Sequence, residues 1–141
     1  MVGFVVSGIK YCCCEQYMMA RKAHLFGDFE TEKLIMEATH PRDHQRLGRD
    51  VKNFVQATWD KHKYGIVCEG NYHRFKQNEE DKQWLLATEG MLVEASPIDL
   101  VWGVGLMASD PLIQDEKNWR GENLLGKALT QVREQLRRES I

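Results

Sequence analysis

Apolar and polar residues follow one another along this chain with a spacing that is mostly helical. The first segment, VGFVV over residues 2–6, predicts a short strand before a turn at Gly8. Gly27 and Gly48 are suitable ends for the first and third helices, and Pro41 suits the first turn of the third. The spacing of apolar residues predicts helices over residues 14–26, 30–38, 41–48, 60–78, 79–87 and 122–138.

The second half of the chain contains a strand-like segment and a long irregular one. MLVEA over residues 91–95 alternates and predicts a strand that ends at Pro97. Between Trp102 and Gly121 the sequence has little periodicity, and loops of such length within a compact domain are often functional. The elements together predict an α+β fold, mostly helical with a few short strands, as a single compact domain over residues 1–141.

Composition narrows the class of protein without identifying it. With 141 residues, 43% of them hydrophobic and 28% charged, the chain is typical of one globular domain. Its 19 Lys and Arg against 21 Asp and Glu argue against a general binder of duplex nucleic acid, although a local basic patch stays possible. The apolar runs are far shorter than the roughly 20 residues that span a bilayer, and the N-terminus does not resemble a secretory signal. We therefore expect a cytoplasmic protein without a membrane segment.

The cysteines indicate reduced thiols. Cys12, Cys13 and Cys14 are consecutive and Cys68 stands alone, so the sequence contains no disulfide framework. A zinc site usually needs ligand pairs at spacings such as CxxC or HxxxH, and the five histidines do not supply a second pair. The sequence predicts no metal site.

The first predicted helix carries charged residues on a line that is otherwise apolar. Glu15 and Lys22 are seven positions apart, which at 100° per residue separates them by only about 20° of azimuth. If this line faces the interior, the two charges need a partner or the wall of a cleft. A desolvated Glu beside a Lys is an arrangement that shifts pKa values toward acid–base or nucleophilic catalysis. The alternative is that the face of Tyr17, Ala20 and His24 is buried and the two charges are solvated.

A second group of candidate residues lies in ASPIDLVWGVGL, over residues 95–106. Gly103 and Gly105 allow backbone N–H groups to approach a ligand, or allow a sharp turn. No GxGxxG opens a helix here, so the segment is not a dinucleotide-binding fingerprint. Trp102 is more typical of a core residue than of a stacking platform, and Asp99 can be a cap or turn residue. Trp119 is harder to explain as core, so stacking on a base or sugar is plausible there.

Five segments, in order and in register, resemble the NADAR (YbiA-like) family over about residues 4–138. The resemblance implies a largely helical α+β domain with no metal or cofactor, whose members hydrolyse N-glycosidic bonds to ribose. Some members act on early riboflavin-pathway intermediates and others remove ADP-ribose from guanine bases. The segments are YCCCEQYMMARKAHLFGD (11–28), HPRDHQRLGRDVKNFVQATW (40–59), GNYHRFKQN (70–78), LVEASPIDLVWGVGL (92–106) and WRGENLLGKALTQVR (119–133).

The resemblance also matches Glu15, Lys22 and Asp99 to residues of the family pattern. By analogy with two-carboxylate glycoside chemistry, we predict that Glu15 and Asp99 are acid–base and charge-stabilising carboxylates, and that Lys22 assists the departing base or forms a Schiff base with the opened ribose. Arg49, which follows a predicted helix end, can meet a phosphate or a helix carboxylate. The residues predicted to bind the ligand are Arg49, Trp59, Trp102, Gly103, Gly105, Trp119 and Asn123.

The leading hypothesis is an N-glycosidase, an enzyme that removes ADP-ribose from guanine in DNA, RNA or nucleotides. The alternatives are hydrolysis of a riboflavin-pathway ribosyl intermediate and a non-catalytic module that binds ADP-ribose. Family members usually begin with a lead-in of the F-x-S-N-F-Y type, before the residue that matches Phe4. We expect this chain to begin after that lead-in, with an effect on substrate preference. No obligate protein partner and no membrane is expected.

Overall fold

The computed structural model describes residues 3–140, which form a mostly helical α+β protein, as predicted. The chain divides into two compact units, residues 1–83 and residues 84–141. A single domain over the whole chain stays a prediction. Two short 3-10 helices, Pro111–Gln114 and Glu116–Asn118, precede the last helix. The strands and α-helices are β1 Phe4–Val6, β2 Ile9–Tyr11, α1 Cys14–Leu25, α2 Phe29–Glu37, α3 Pro41–Arg49, α4 Gln56–Gln77, α5 Glu79–Leu86 and α6 Leu124–Glu139.

The first unit begins with a β-hairpin. β1 and β2 pair antiparallel, with Phe4 opposite Tyr11. Ser7 and Gly8 connect them with positive φ angles of 51° and 80°, which is the backbone that tight two-residue hairpin turns require. The predicted first strand is thus observed as β1, while its first residue, Val2, lies outside the described residues. The pattern did not predict β2, whose three residues are too few for alternation to be recognised.

Helix α1 is central to the first unit and packs against α2, α3 and α4. Its buried face includes Tyr17 and Met19. A Cβ added at Gly70 of α4 would lie 2.7 Å from the ring of Tyr17, and one added at Gly48 of α3 would collide with the side chain of Met19. These two glycines therefore let α3 and α4 approach α1 more closely than any larger residue would permit.

Gln16 fixes the start of α1. Its side-chain oxygen accepts a hydrogen bond from the Cys12 N–H at 2.7 Å, and its Nε2 donates to the carbonyl oxygens of Ile35 and Ala38 at 3.1 and 3.3 Å. The amide is buried, and its hydrogen bonds tie the first turn of α1 to the end of α2.

In the second unit, the predicted strand over residues 91–95 is wrong. Within residues 3–140 the backbone of this segment pairs with no strand; the Glu94 carbonyl oxygen accepts from the Val104 N–H at 3.0 Å, and two N–H groups bond to side chains. The Leu92 N–H donates to Oγ1 of Thr130 at 3.0 Å, and the Glu94 N–H donates to Oδ1 of Asn123 at 2.9 Å. Alternation of apolar residues describes an extended segment but cannot tell whether another strand is available to pair with it.

Helix α6 has the amphipathic character that its sequence predicts. Ala128, Val132 and Leu136 are buried along one stripe. The helix begins at Leu124, directly after Asn123, whose backbone is left-handed. Among the described residues, no helix combines the length and the apolar character needed to cross a membrane.

Candidate active site

The structure decides between the two interpretations of α1. Tyr17 and Ala20 lie on the buried face, whereas His24 is exposed. Glu15 and Lys22 are half-buried, at the border between this buried face and solvent. The line that joins them is therefore neither the centre of the core face nor a fully solvated face, and both charged groups stay within reach of a ligand.

Burial acts on both charged groups of this line. It raises the pKa of the Glu15 carboxyl, and the attraction of Lys22 offsets only part of that rise. Burial likewise lowers the pKa of Lys22, and the attraction of Glu15 offsets only part of that fall. Neither side chain hydrogen-bonds to another residue between 3 and 140. The arrangement thus favours a neutral acid and a neutral amine more than water would, with both groups free to contact a substrate.

Two aromatic rings surround the amine of Lys22. Its Nζ lies 4.7 Å from the ring centre of Phe54 and 5.5 Å from that of Trp59. Trp59 is only 8% exposed and belongs to the core cluster, whereas Phe54 is 38% exposed and packs on Phe26 with ring centres 5.2 Å apart. Trp59, predicted as a ligand residue, therefore supports Lys22 from the core side, and Phe54 presents an open ring beside the same amine.

Phe54 is the residue that the sequence reasoning missed. A signal existed, because Phe54 and Trp59 occur in one short segment, NFVQATW, that belongs to a family-like motif. Phe54 lies in the connection between α3 and α4, before the first residue of α4, so no helical periodicity could assign it to the side of α1. Only packing between α1 and the start of α4 brings this ring to Lys22.

Arg49 is the last residue of α3, one position beyond the predicted end of that helix. It is exposed, and its guanidinium makes no hydrogen bond or ion pair within residues 3–140. A free guanidinium at a helix end is able to bind a phosphate, but the structure shows no further feature that selects this role.

Asp99 caps a turn in the second unit. Its Oδ1 accepts hydrogen bonds from the N–H groups of Val101 and Trp102 at 3.0 and 2.8 Å, and its own N–H donates to Oγ of Ser96 at 3.1 Å. This is the turn role that the sequence permits for Asp99 beside the catalytic one. The ring of Trp102 is half-buried.

The two glycines that follow Trp102 allow close packing of the loop against its own atoms. A Cβ at Gly103 would lie 2.9 Å from the carbonyl oxygen of Asp99, and one at Gly105 would lie 2.7 Å from a methyl carbon of Leu100. Gly105 also has a φ of 74°, which side chains disfavour. The close approach that glycine permits here is to protein atoms, which accounts for both glycines without a ligand.

Trp119 and Asn123 hold the long loop by hydrogen bonds within the second unit. The indole N–H of Trp119 donates to the carbonyl oxygen of Ile113 at 2.9 Å. Asn123 is fully buried, and its side chain accepts from the Glu94 N–H and donates to the Leu92 carbonyl oxygen, both at 2.9 Å. The polar atoms of these side chains are therefore occupied by the protein itself.

Within the part of the chain that the structure describes, three side chains form a group able to hold a metal ion. These are Cys12, Cys13 and His44, whose ligand atoms lie within 4.8 Å of one another. No sequence spacing indicates this group, because His44 is 31 residues from Cys13 and follows no paired spacing.

Comparison with known proteins found a matching family profile and several similar proteins. The NADAR domain profile matches residues 3–137. N-glycosidase R617 of Acanthamoeba polyphaga mimivirus is 48% identical over 127 residues, which cover 89% of this chain and 75% of that protein. Protein irg-1 of Caenorhabditis elegans is 40% identical over 131 residues, covering 91% of this chain and 62% of that protein.

A solved structure and a further relative agree with these matches. N-glycosidase YbiA of Escherichia coli is 30% identical over 132 residues, covering 93% of this chain and 74% of that protein. The NMR structure of YbiA superposes with a TM-score of 0.79 and 29% identity, over 98% of this chain and 74% of that chain. The predicted fold and the predicted enzyme class, an N-glycosidase, are thereby confirmed.

Proposed function

The chain belongs to the NADAR domain family, and on that premise we propose that it removes ADP-ribose from guanine bases by hydrolysing the N-glycosidic bond to ribose. The observation that carries this proposal is the half-buried pair of Glu15 and Lys22 on one line of α1, beside the open ring of Phe54. A module that only binds ADP-ribose has little use for a carboxyl and an amine placed this way without hydrogen-bonding partners.

The chemistry requires a proton donor and stabilisation of charge on the ribose. Hydrolysis breaks the bond between C1′ and the base nitrogen, joins the oxygen of water to C1′, and leaves a proton on the base. We assign the proton transfers with water and base to Glu15, whose carboxyl has no hydrogen-bond partner among residues 3–140. In this assignment Asp99 has a structural role in its turn, because its Oδ1 already accepts hydrogen bonds from two backbone N–H groups.

Lys22 has two possible roles that one experiment distinguishes. As a cation it stabilises the departing base, and as a free amine it adds to the aldehyde of an opened ribose and forms an imine, with loss of water. Borohydride reduces an imine to a stable secondary amine, so it would attach the ribosyl fragment permanently to Lys22. Mass spectrometry of the treated protein then shows either a modified Lys22 peptide, which assigns the amine role, or an unmodified one, which assigns the cation role.

We assign the remaining substrate contacts to exposed side chains. Phe54 offers an aromatic face for a planar base, and we assign it that stacking role, with Trp59 supporting Lys22 from the core. Arg49 is assigned to a phosphate of the ADP-ribose. A single adduct held in this way does not require a basic surface, which agrees with a net charge of −2.

The direct test is an oligonucleotide that carries one ADP-ribosylated guanine. We expect the protein to release ADP-ribose and restore guanine, both measured by liquid chromatography with mass spectrometry. Lys22→Ala, purified in parallel, is the control for contaminating glycosidases. An adduct that stays intact at high enzyme concentration overturns the proposal.

Two parallel assays separate the alternatives. Turnover of a riboflavin-pathway ribosyl intermediate, with the guanine adduct intact, would keep the N-glycosidase and replace its substrate. Binding of free ADP-ribose with no turnover of either compound would indicate a binding module instead.

A further inference from the structure

A compact group of sulfur and nitrogen atoms lies where α1 begins and α3 passes by. The Sγ atoms of Cys12 and Cys13 are 3.8 Å apart, and Sγ of Cys13 is 3.6 Å from Nδ1 of His44. We propose that Cys12, Cys13 and His44 form a binding site for a thiophilic metal ion of the Zn²⁺ type. This site is independent of the proposed glycosidase chemistry.

The distances match those that a tetrahedral ion imposes on its ligands. With bonds of about 2.3 Å to sulfur and about 2.0 Å to nitrogen, two sulfurs lie about 3.8 Å apart, and a sulfur and a nitrogen about 3.5 Å apart. Two of the three edges of the group, 3.8 Å and 3.6 Å long, are already close to these lengths. The third, from Cys12 to His44, is at most 4.8 Å and needs to shorten by no more than about 1.3 Å.

His44 is oriented as a metal ligand. Its Nε2 is 2.8 Å from the carbonyl oxygen of Ala38, and because a carbonyl only accepts, Nε2 carries the proton. The lone pair of the neutral ring is then on Nδ1, the atom that faces Cys13. Metal-binding histidines in proteins are commonly held by this kind of second hydrogen bond. His44 is also fully buried, so its ring cannot turn away into solvent.

The ligand set selects the kind of ion. Two thiolates and an imidazole suit Zn²⁺ and other soft or borderline ions, and disfavour Mg²⁺ and Ca²⁺, which prefer oxygen. Each metal–sulfur bond forms as the thiol loses its proton, so binding releases protons to solvent. Cys12 is half-buried and offers the route of entry, and a fourth ligand position stays open to water.

The test uses the full chain, freed of metal by a chelator and kept reduced with a phosphine. Titration with Zn²⁺ against a chromophoric competitor is expected to show one ion per chain. Co²⁺ is expected to give the charge-transfer absorption of thiolate ligands. Cys12→Ser, Cys13→Ser and His44→Gln are each expected to lower Zn²⁺ affinity at least about tenfold. Cys12→Ser carries the test if the buried substitutions prevent folding, because Cys12 is half-buried.

Matched thiols elsewhere in the chain serve as controls. Cys14→Ser changes the next residue, whose Sγ bonds to Oδ1 of Asn71 instead, and Cys68→Ser changes a thiol in α4. Both are expected to keep wild-type affinity. Absence of stoichiometric Zn²⁺ binding at micromolar concentration, or wild-type affinity in Cys12→Ser, would overturn the site. Such a failure leaves the glycosidase proposal untouched, because that proposal is tested by turnover.

Discussion

Two regions of the molecule differ in whether their polar side chains have hydrogen-bond partners. One is the face of α1 that carries Glu15 and Lys22, and the other is the loop over residues 91–123. On α1 the carboxyl and the amine are half-buried, and neither hydrogen-bonds to another residue between 3 and 140. In the loop, the side chains of Asp99, Trp119 and Asn123 all bond to backbone groups nearby. A polar group that the protein leaves without a partner at the edge of its core is available for chemistry, and one that is fully bonded holds structure.

The largest expected effect, a loss of turnover, follows from replacing Glu15 or Lys22. Glu15→Gln and Lys22→Ala are each expected to lower kcat/KM at least about a hundredfold, which corresponds to about 2.7 kcal/mol of lost transition-state stabilisation. Stability is expected to stay at or above the wild-type level in Glu15→Gln, because that change removes a partly buried charge without a hydrogen-bond partner. Steady-state kinetics and thermal unfolding measure the two effects.

A matched lysine tests whether position or charge matters in that experiment. Lys33→Ala removes an exposed lysine from the neighbouring helix α2 and is expected to leave kcat/KM unchanged. Near wild-type turnover in both Glu15→Gln and Lys22→Ala would contradict the difference drawn between the two regions.

An intermediate effect, on stability instead of turnover, is expected at the centre of the loop. Asn123→Ala leaves the Glu94 N–H and the Leu92 carbonyl without their partner and places alanine at a φ of 54°. We expect the free energy of unfolding to fall by about 2–4 kcal/mol, measured in urea.

A second asparagine in the same loop is the control for Asn123. Asn118→Ala removes an exposed hydrogen bond of 3.2 Å to the Leu112 carbonyl and is expected to change stability by less than about 0.5 kcal/mol. If Asn123→Ala kept wild-type stability and lost turnover, Asn123 would be a ligand contact, as the sequence had predicted.

The smallest effect is expected at Asp99. Asp99→Asn keeps an oxygen that accepts from Val101 and Trp102, so turnover is expected to stay within about twofold and stability within about 0.5 kcal/mol. Asp110→Asn is the matched control, because Asp110 caps the Leu112 N–H in the same manner at 3.0 Å. A hundredfold loss of turnover in Asp99→Asn alone would return this carboxylate to the catalytic group.

Local patterns predicted those features that depend on neighbours in sequence. The helices follow from apolar spacing within each segment, and their ends from residues such as Gly27 and Pro41. The shared line of Glu15 and Lys22 follows from the 100° turn per residue of any α-helix. The predicted strand over residues 91–95 is wrong because strand pairing depends on a partner strand outside the segment, which a local pattern does not reveal.

The sequence by itself determined the order of the helices, the family and the line of charged residues on α1, because each depends on residues within a short segment of the chain. Only the tertiary structure decided that this line lies at the edge of the core, because that depends on how α2, α3 and α4 pack around α1. The ring of Phe54 beside Lys22 and the approach of His44 to Cys13 are likewise contacts across long separations in sequence. Burial and distance are properties of such contacts, and no local pattern contains them.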